Sequence, residues 1–349
     1  MRQEISRNLQ SASKFPKASL SQNGALESVD YESLLHATKA YNEDLISNCF
    51  GSNTHDGAVD LESAALESKL VVSALRTYEQ WNATPQARAI SDLPIPLRKI
   101  SNDPPTTGLP PSMQSLTDPR RARRRRPLGD EPDPLGSPNN GRHFGRGTRT
   151  IQLDLDTAED LATAHTLLDD THVLIQGFRP DFLAARILDP TTLAERYKHK
   201  ERGIIVANMS AYGWDGPWSK RRGFNSLVQT CNVMNMSEAE HFGSREVARP
   251  MPAQALDHGG GYFLVAGILA ALYRQASEGG SWVVDISLAG VGKYLRSLGQ
   301  YAGKSGFEGV RDFTCTGNVP AEFLETRKGG FGTLTAVRHS VSIEGVGVV

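Results

Sequence analysis

Arg249-Pro-Met-Pro-Ala-Gln-Ala-Leu-Asp257-His-Gly-Gly-Gly-Tyr-Phe-Leu-Val-Ala-Gly267 sets one carboxylate at the mouth of a glycine-rich, apolar segment that reads as a helix running to about Arg274. Free backbone N–H groups and the helix dipole stabilise negative charge at such a start, and three glycines let a ligand approach the backbone. Two roles fit Asp257 there: a nucleophile, or a carboxylate that merely caps the helix. It is the candidate catalytic residue.

Upstream, short apolar runs alternate with helical patterns. Residues 150–155 read as a strand, 158–168 as a helix, 173–176 as a buried strand, 182–197 as one or two helices and 203–210 as another buried strand. Val173, Leu174, Ile175, Ile204, Ile205 and Val206 are expected in the core. The alternation predicts an α/β fold with a parallel sheet and right-handed crossovers, with ligands at the carboxyl ends of the strands. Gln176-Gly-Phe-Arg179 and Ser210-Ala-Tyr-Gly213 stand at two such ends.

Four blocks together resemble the catalytic core of the family III CoA-transferases, a group that includes formyl-CoA and carnitine-CoA transferases and the α-methylacyl-CoA racemase branch. They are Gly145 to Leu155, Val173-Leu-Ile-Gln-Gly-Phe-Arg-Pro180, Asn208 to Trp218 with Arg221-Arg-Gly-Phe-Asn-Ser226, and the Asp257 segment with Gly279 to Leu288. The resemblance implies a Rossmann-like parallel sheet. It also implies CoA transfer between an acyl-CoA and a carboxylic acid through an aspartyl anhydride and an aspartyl-CoA thioester, with Asp257 at the nucleophile position. Backbone N–H groups near Gly259 to Gly261 are then the expected oxyanion stabilisers.

Phe178 and Arg179 fall in the family's Asn-Phe-Arg-Pro-Gly motif, although Gly177 replaces the Asn and Asp181 the closing Gly. Tyr212 and Gly213 match the turn that passes the pantetheine. These four are the expected CoA contacts, each with an ordinary structural alternative: a solvent-facing Arg, a Tyr packed in the core. Arg221, Arg222 and Arg249 are further cationic candidates. The racemase branch needs a histidine base where Phe224 stands, so transfer ranks above acyl-CoA α-epimerisation, and a non-catalytic remnant is the third possibility. His258 reads as a helix residue, not a base, since neighbours do not share a helix face. The family's interlaced dimers imply a homodimer.

Composition excludes little. Net charge is -1 and hydrophobic residues make up 39% of 349, which suits a globular chain without a global electrostatic partner. Cys49, Cys231 and Cys315 are too widely spaced for a disulfide framework or a zinc site; no metal and no permanently bound cofactor is expected, coenzyme A thioester being substrate. No run of 18 apolar residues and no apolar leader is present, so the expectation is a cytoplasmic protein with neither a membrane nor a nucleic acid as partner.

The expected organisation is a disordered stretch at 1–27 and a helical segment at 28–100, with helices over 31–41, 61–75 and 79–90. That segment resembles the small domain of a preceding repeat. A Pro/Arg-rich linker at 101–148, a transferase core at 149–313 and a truncated segment at 314–349 follow. The run Arg120-Arg-Ala-Arg-Arg-Arg-Arg126 is a basic cluster, a solvated linker or a shifted reading frame. Permitted codons for 120–132, read one nucleotide later, spell AAHGADVLWVTS, which resembles the approach to the family's second strand. On that reading the first strand and helix are missing and the sheet is incomplete.

Overall fold

The computed structural model describes residues 55–67, 71–105, 151, 153–179, 182–243, 245–309, 315–329 and 332–338. The expected disordered stretch, the helix over 31–41, the basic cluster with its shifted-frame reading, and Cys49 lie outside these. The chain divides into two compact units, Met1–Ala74 and Leu75–Val349.

In the first unit, α1 spans His55–Glu67. The helix expected over 61–75 does not run that far: residues 71–74 are not helical, and the buried Glu62 carboxylate accepts the Ala74 N–H at 3.0 Å in place of a helical carbonyl.

The second unit is a sheet with helices on both faces. Thr77 and Gln80 form a reciprocal capping box that starts α2 (Tyr78–Ala83). Pro85, which has no N–H, splits the helix expected over 79–90, and Thr84 caps α3 (Pro85–Ala89). Then come β1 (Leu97–Lys99), α4 (Ala158–Leu168), β2 (Val173–Gln176), α5 (Pro190–Tyr197), β3 (Ile205–Ser210), α6 (Asn225–Cys231), α7 (Met234–Phe242), α8 (Ala255–Glu278), β4 (Trp282–Ser287) and α9 (Leu288–Ser297). A hairpin of β5 (Leu324–Gly329) and β6 (Gly332–Val337) forms a separate two-stranded sheet.

The main sheet has the order β1-β4-β3-β2, with β2, β3 and β4 parallel and β1 antiparallel on β4. Strand alternation sends Ile205, Ala207, Val284 and Ile286 to one face and Ile204, Val206 and Val283 to the other. The first set packs under α8 with Leu256, Leu264 and Leu272, and the second under α4 and α5 with Leu168, Leu193 and Tyr197. Each such aliphatic side chain contributes about 1.5–3 kcal/mol when fully buried. The strands β2, β3 and β4 run parallel, as the alternation predicted, so their carboxyl ends share one edge of the sheet.

Three expectations fail here. Residues 151 and 153–155 form no strand, because carboxylates take the backbone donors first: Asp160 accepts the Asp154 N–H and Asp154 accepts the Asp156 N–H. Ile175 is 60% exposed, not core, because α8 lies over β3 and β4 while β2 is the sheet's edge. And the chain before residue 100 is no separate segment from Leu75 onward. Trp81 and Ile90 are part of the main core, and β1 is part of its sheet.

Helix α8 is long and apolar enough to cross a membrane by length and composition alone. It packs on the sheet so closely that side chains at Gly260 or Gly267 would strike Met209 or Val284. Its outer side carries an exposed apolar stripe of Tyr262, Val265, Leu269 and Tyr273.

Candidate active site

Helix α8 begins at an odd cap. Gln254 takes a left-handed conformation (φ 50°) and gives no side-chain cap, so Asp257 is the third residue of the helix and not its cap. The start is instead held from outside: the Leu256 N–H donates to Oδ1 of Asn225, a buried residue of α6, at 3.0 Å. Helix geometry leaves N–H groups without an intrahelical partner only at residues 254–257, and Asn225 takes that of Leu256. Gly259 to Gly261 lie deeper, with their N–H groups bonded four residues back, which removes them as oxyanion donors. Gly260 serves contact, 2.8 Å from the Met209 methyl to where its Cβ would sit.

The Asp257 side chain is exposed and accepts no hydrogen bond from a described residue. Partial desolvation pushes its pKa above the ordinary value, against a lowering by His258; solvent on the open side screens both effects.

At the end of β2, Gln176 Oε1 accepts the Phe178 N–H at 2.8 Å. The Phe178 ring stacks on Phe182 with centroids 4.5 Å apart and stays half exposed. Arg179 is exposed, and its guanidinium pairs with no described carboxylate. A side chain at Gly177 would meet open space, so the departure from the motif's Asn is not forced by packing.

Tyr212 is buried, edge-on to Trp218 at 5.3 Å, and offers a ligand only its backbone. Gly213, at φ 94°, donates its N–H to Ser210 Oγ at 2.9 Å. Of the other cations, Arg221 lies over Trp218 at 4.0 Å and Arg249 over Phe242 at 3.9 Å. Strand β3 links the two halves: Asn208 faces Gln176, while Met209 touches Gly260, one turn beyond Asp257. Phe178, Arg179 and Asp257 thus belong to segments that flank one strand end.

A cavity of about 870 Å³ is lined by Tyr78, Met234, Glu238, Met251, Leu295 and Tyr301, among others, and by none of Asp257, Phe178, Arg179, Tyr212 and Gly213. Burial raises the Glu238 pKa, while Arg249 and His241 oppose it. Met251 and Pro252, on its wall, lead directly into α8. Among the described residues no cluster of His, Cys, Asp and Glu is arranged to hold a metal ion.

Residues 126–309, more than half of the 349, match the model of CoA-transferase family III. The chain belongs to CoA-transferase family III. It is 29% identical to the acetyl-coenzyme A transferase nodX of Hypoxylon pulicicidum over 160 residues, covering 46% of this chain and 26% of that protein. It is 32% identical to a CaiB/baiF CoA-transferase family protein of Caenorhabditis elegans over 162 residues, 45% of each. A crystal structure of a hypothetical protein (Rv3272) of Mycobacterium tuberculosis aligns at TM-score 0.37 and 26% identity, over 44% of this chain and 42% of that one. The family III chain thus spans less than half the length of these relatives.

Two residues of the family III chain's site escaped the sequence reading. Asn225 sits inside a quoted block, but only the fold shows that it caps a helix 30 residues away. Gln86 is fully buried and ties down the loop after β3: its Nε2 donates to the Tyr212 and Asp215 carbonyls at 2.8 and 2.9 Å, and its Oε1 accepts the Trp218 N–H at 2.7 Å. No motif in the sequence signals it.

Proposed function

We propose that this protein moves CoA from an acyl-CoA to a carboxylic acid through covalent intermediates on Asp257. The observation that carries the reading is the Asp257 carboxylate itself: unshared, open to solvent, raised in pKa, and fixed in the first turn of α8 by the Asn225–Leu256 bond. A more basic carboxylate, once ionised, is the better nucleophile.

An Asp257 oxygen attacks the thioester carbonyl, the C–S bond breaks, and an acyl-aspartyl anhydride forms with release of CoA thiolate. The thiolate attacks the aspartyl carbonyl, expelling the donor carboxylate and leaving an aspartyl-CoA thioester. The acceptor carboxylate attacks that carbonyl, again releasing thiolate, and the thiolate then takes the new acyl group and frees Asp257. The thioester's free energy is retained at each step, whereas hydrolysis would dissipate it.

Arg179 binds the phosphates or ADP of CoA and Phe178 packs against it, while the turn at Tyr212 and Gly213 borders the pantetheine through backbone. No bound cofactor or metal takes part. Phe224, where the racemase branch needs a histidine, supports transfer over epimerisation. We further propose a homodimer, which the exposed stripe on α8 supports by offering apolar surface, and a cytoplasmic location, which the free thiols of the described Cys231 and Cys315 suit.

The test is exchange of labelled CoA into a panel of acyl-CoAs, with hydroxylamine present to cleave activated aspartate. Hydroxamate at Asp257 alone supports the reading. Exchange that survives Asp257→Ala refutes it.

A further inference from the structure

We infer that Asp285 is a positioning residue that sets the Phe178–Arg179 turn through a line of side chains across the sheet. Strand register places Gln176 beside Asn208 and Asn208 beside Asp285. Two residues earlier on the same face stand Leu174, Val206 and Val283, all within or against the second core cluster. Here an apolar rung gives way to two amides and a carboxylate, although Asn208 is only 3% exposed.

The order of donors along this rung has one origin. An amide side chain can face either way, but an ionised carboxylate only accepts. Asp285 Oδ1 therefore requires the Asn208 Nδ2, which lies 2.7 Å away. That choice turns Asn208 Oδ1 toward Gln176, whose Nε2 donates to it at 2.7 Å. Gln176 is left with Oε1 free, and this atom accepts the Phe178 N–H at 2.8 Å. One charge thus orients two amides and ends on the backbone between Gly177 and Phe178. At the far end Arg98 holds Asp285 Oδ2 at 3.3 Å, but its side chain is 60% exposed, so that pair contributes little beyond geometry.

Asp285 touches no reacting atom in the proposed chemistry. Its effect on CoA rests on the reading that the Phe178–Arg179 turn binds CoA, whereas its effect on the turn does not.

Polarity makes the relay testable by reversal. Gln176→Glu puts a second acceptor-only group on the line, so Asn208 cannot satisfy both ends and the turn loosens. Adding Asp285→Asn supplies a donor at the other end, lets Asn208 turn over to donate to the introduced carboxylate, and restores the bond that holds the Phe178 acceptor in place. The experiment measures amide hydrogen exchange at Phe178 and the Kd for CoA in the full chain, for these two variants, Asp285→Leu and Arg179→Ala. Loss of one hydrogen bond of about 1 kcal/mol predicts roughly fivefold faster Phe178 exchange and fivefold weaker CoA binding in Gln176→Glu and Asp285→Leu. The double variant returns to within about twofold of the parent.

If Gln176→Glu and the double variant exchange alike, or Asp285→Leu leaves Phe178 protected, the relay is refuted. Should exchange follow the prediction while no variant, Arg179→Ala included, alters CoA affinity, the relay stands and the CoA-binding role of the turn falls.

Discussion

Asn225 accepts the Leu256 N–H at 3.0 Å, so the helix that carries Asp257 is capped by a side chain from another helix. An own-residue cap would fix only the helix end. A cap lent by α6 also fixes where that end sits against its neighbours, which is what a nucleophile on the next residue needs.

Removing that cap is expected to affect chemistry more than binding. Asn225→Ala should lower stability by about 1 kcal/mol and slow CoA exchange about tenfold or more, with CoA affinity near that of the parent. Asn225→Asp keeps an acceptor and should retain most activity. Exchange rates, a thermal melt and CoA titration for the two variants check this; equal losses in both would count against the cap.

The raised pKa of Asp257 gives a signed pH dependence. The ionised form is the nucleophile, so transfer should rise with pH through a midpoint above the ordinary 3.8. For stability the direction is opposite. A carboxyl that binds its proton more tightly when folded is most favourable below its unfolded pKa, and that contribution is lost as pH rises through the folded pKa. Asp257→Asn should therefore abolish transfer while melting no lower than the parent at pH 7, the difference vanishing below 3.8. A clear drop in melting temperature at pH 7 would contradict this.

Gln86→Leu leaves the buried Tyr212 carbonyl, the part-buried Asp215 carbonyl and the buried Trp218 N–H without their partner. At about 1–3 kcal/mol for each unsatisfied buried group, partly recovered by relaxation, the expected loss is about 2–4 kcal/mol. Urea denaturation of the variant measures it directly.

Asp189 caps α5, accepting from the Thr191 and Thr192 N–H groups and the Thr192 hydroxyl. Desolvation pushes its pKa up, but these hydrogen bonds together outweigh it and hold the pKa below 3.8. Asp189→Ala should cost about 1 kcal/mol at neutral pH. The stabilisation is full above the unfolded pKa and fades as pH falls from 3.8 toward the lower folded value, so parent and variant should converge in acid melts.

Much of this was legible in one dimension because local chemistry decides it. The helix at Ala158–Leu168 and the strand at Val173–Gln176 appear with the bounds their apolar periodicity and flanking residues set, and the parallel pairing follows from their alternation. Asp257 at a helix start was legible for the same reason, since glycines and an apolar run mark that start. What periodicity cannot carry is which neighbour a face meets. Ile175 has the composition of core and an edge position that leaves it exposed. Tyr212 has a motif's place and a buried ring. Asp257 could be read as a cap, and only the backbone at Gln254 shows that it is not.

The sequence alone determined the alternation of elements, the carboxylate at the helix start and the turn after β2, because each depends on residues within a few positions of one another. Tertiary structure decided what holds them: Gln86 bonded to residues more than 120 positions away, Asn225 at the start of α8, and Asp285 in line with Asn208 and Gln176. Those partners meet only because strand order and helix packing bring them together, and a polar side chain reveals its role only once its single available partner is in place.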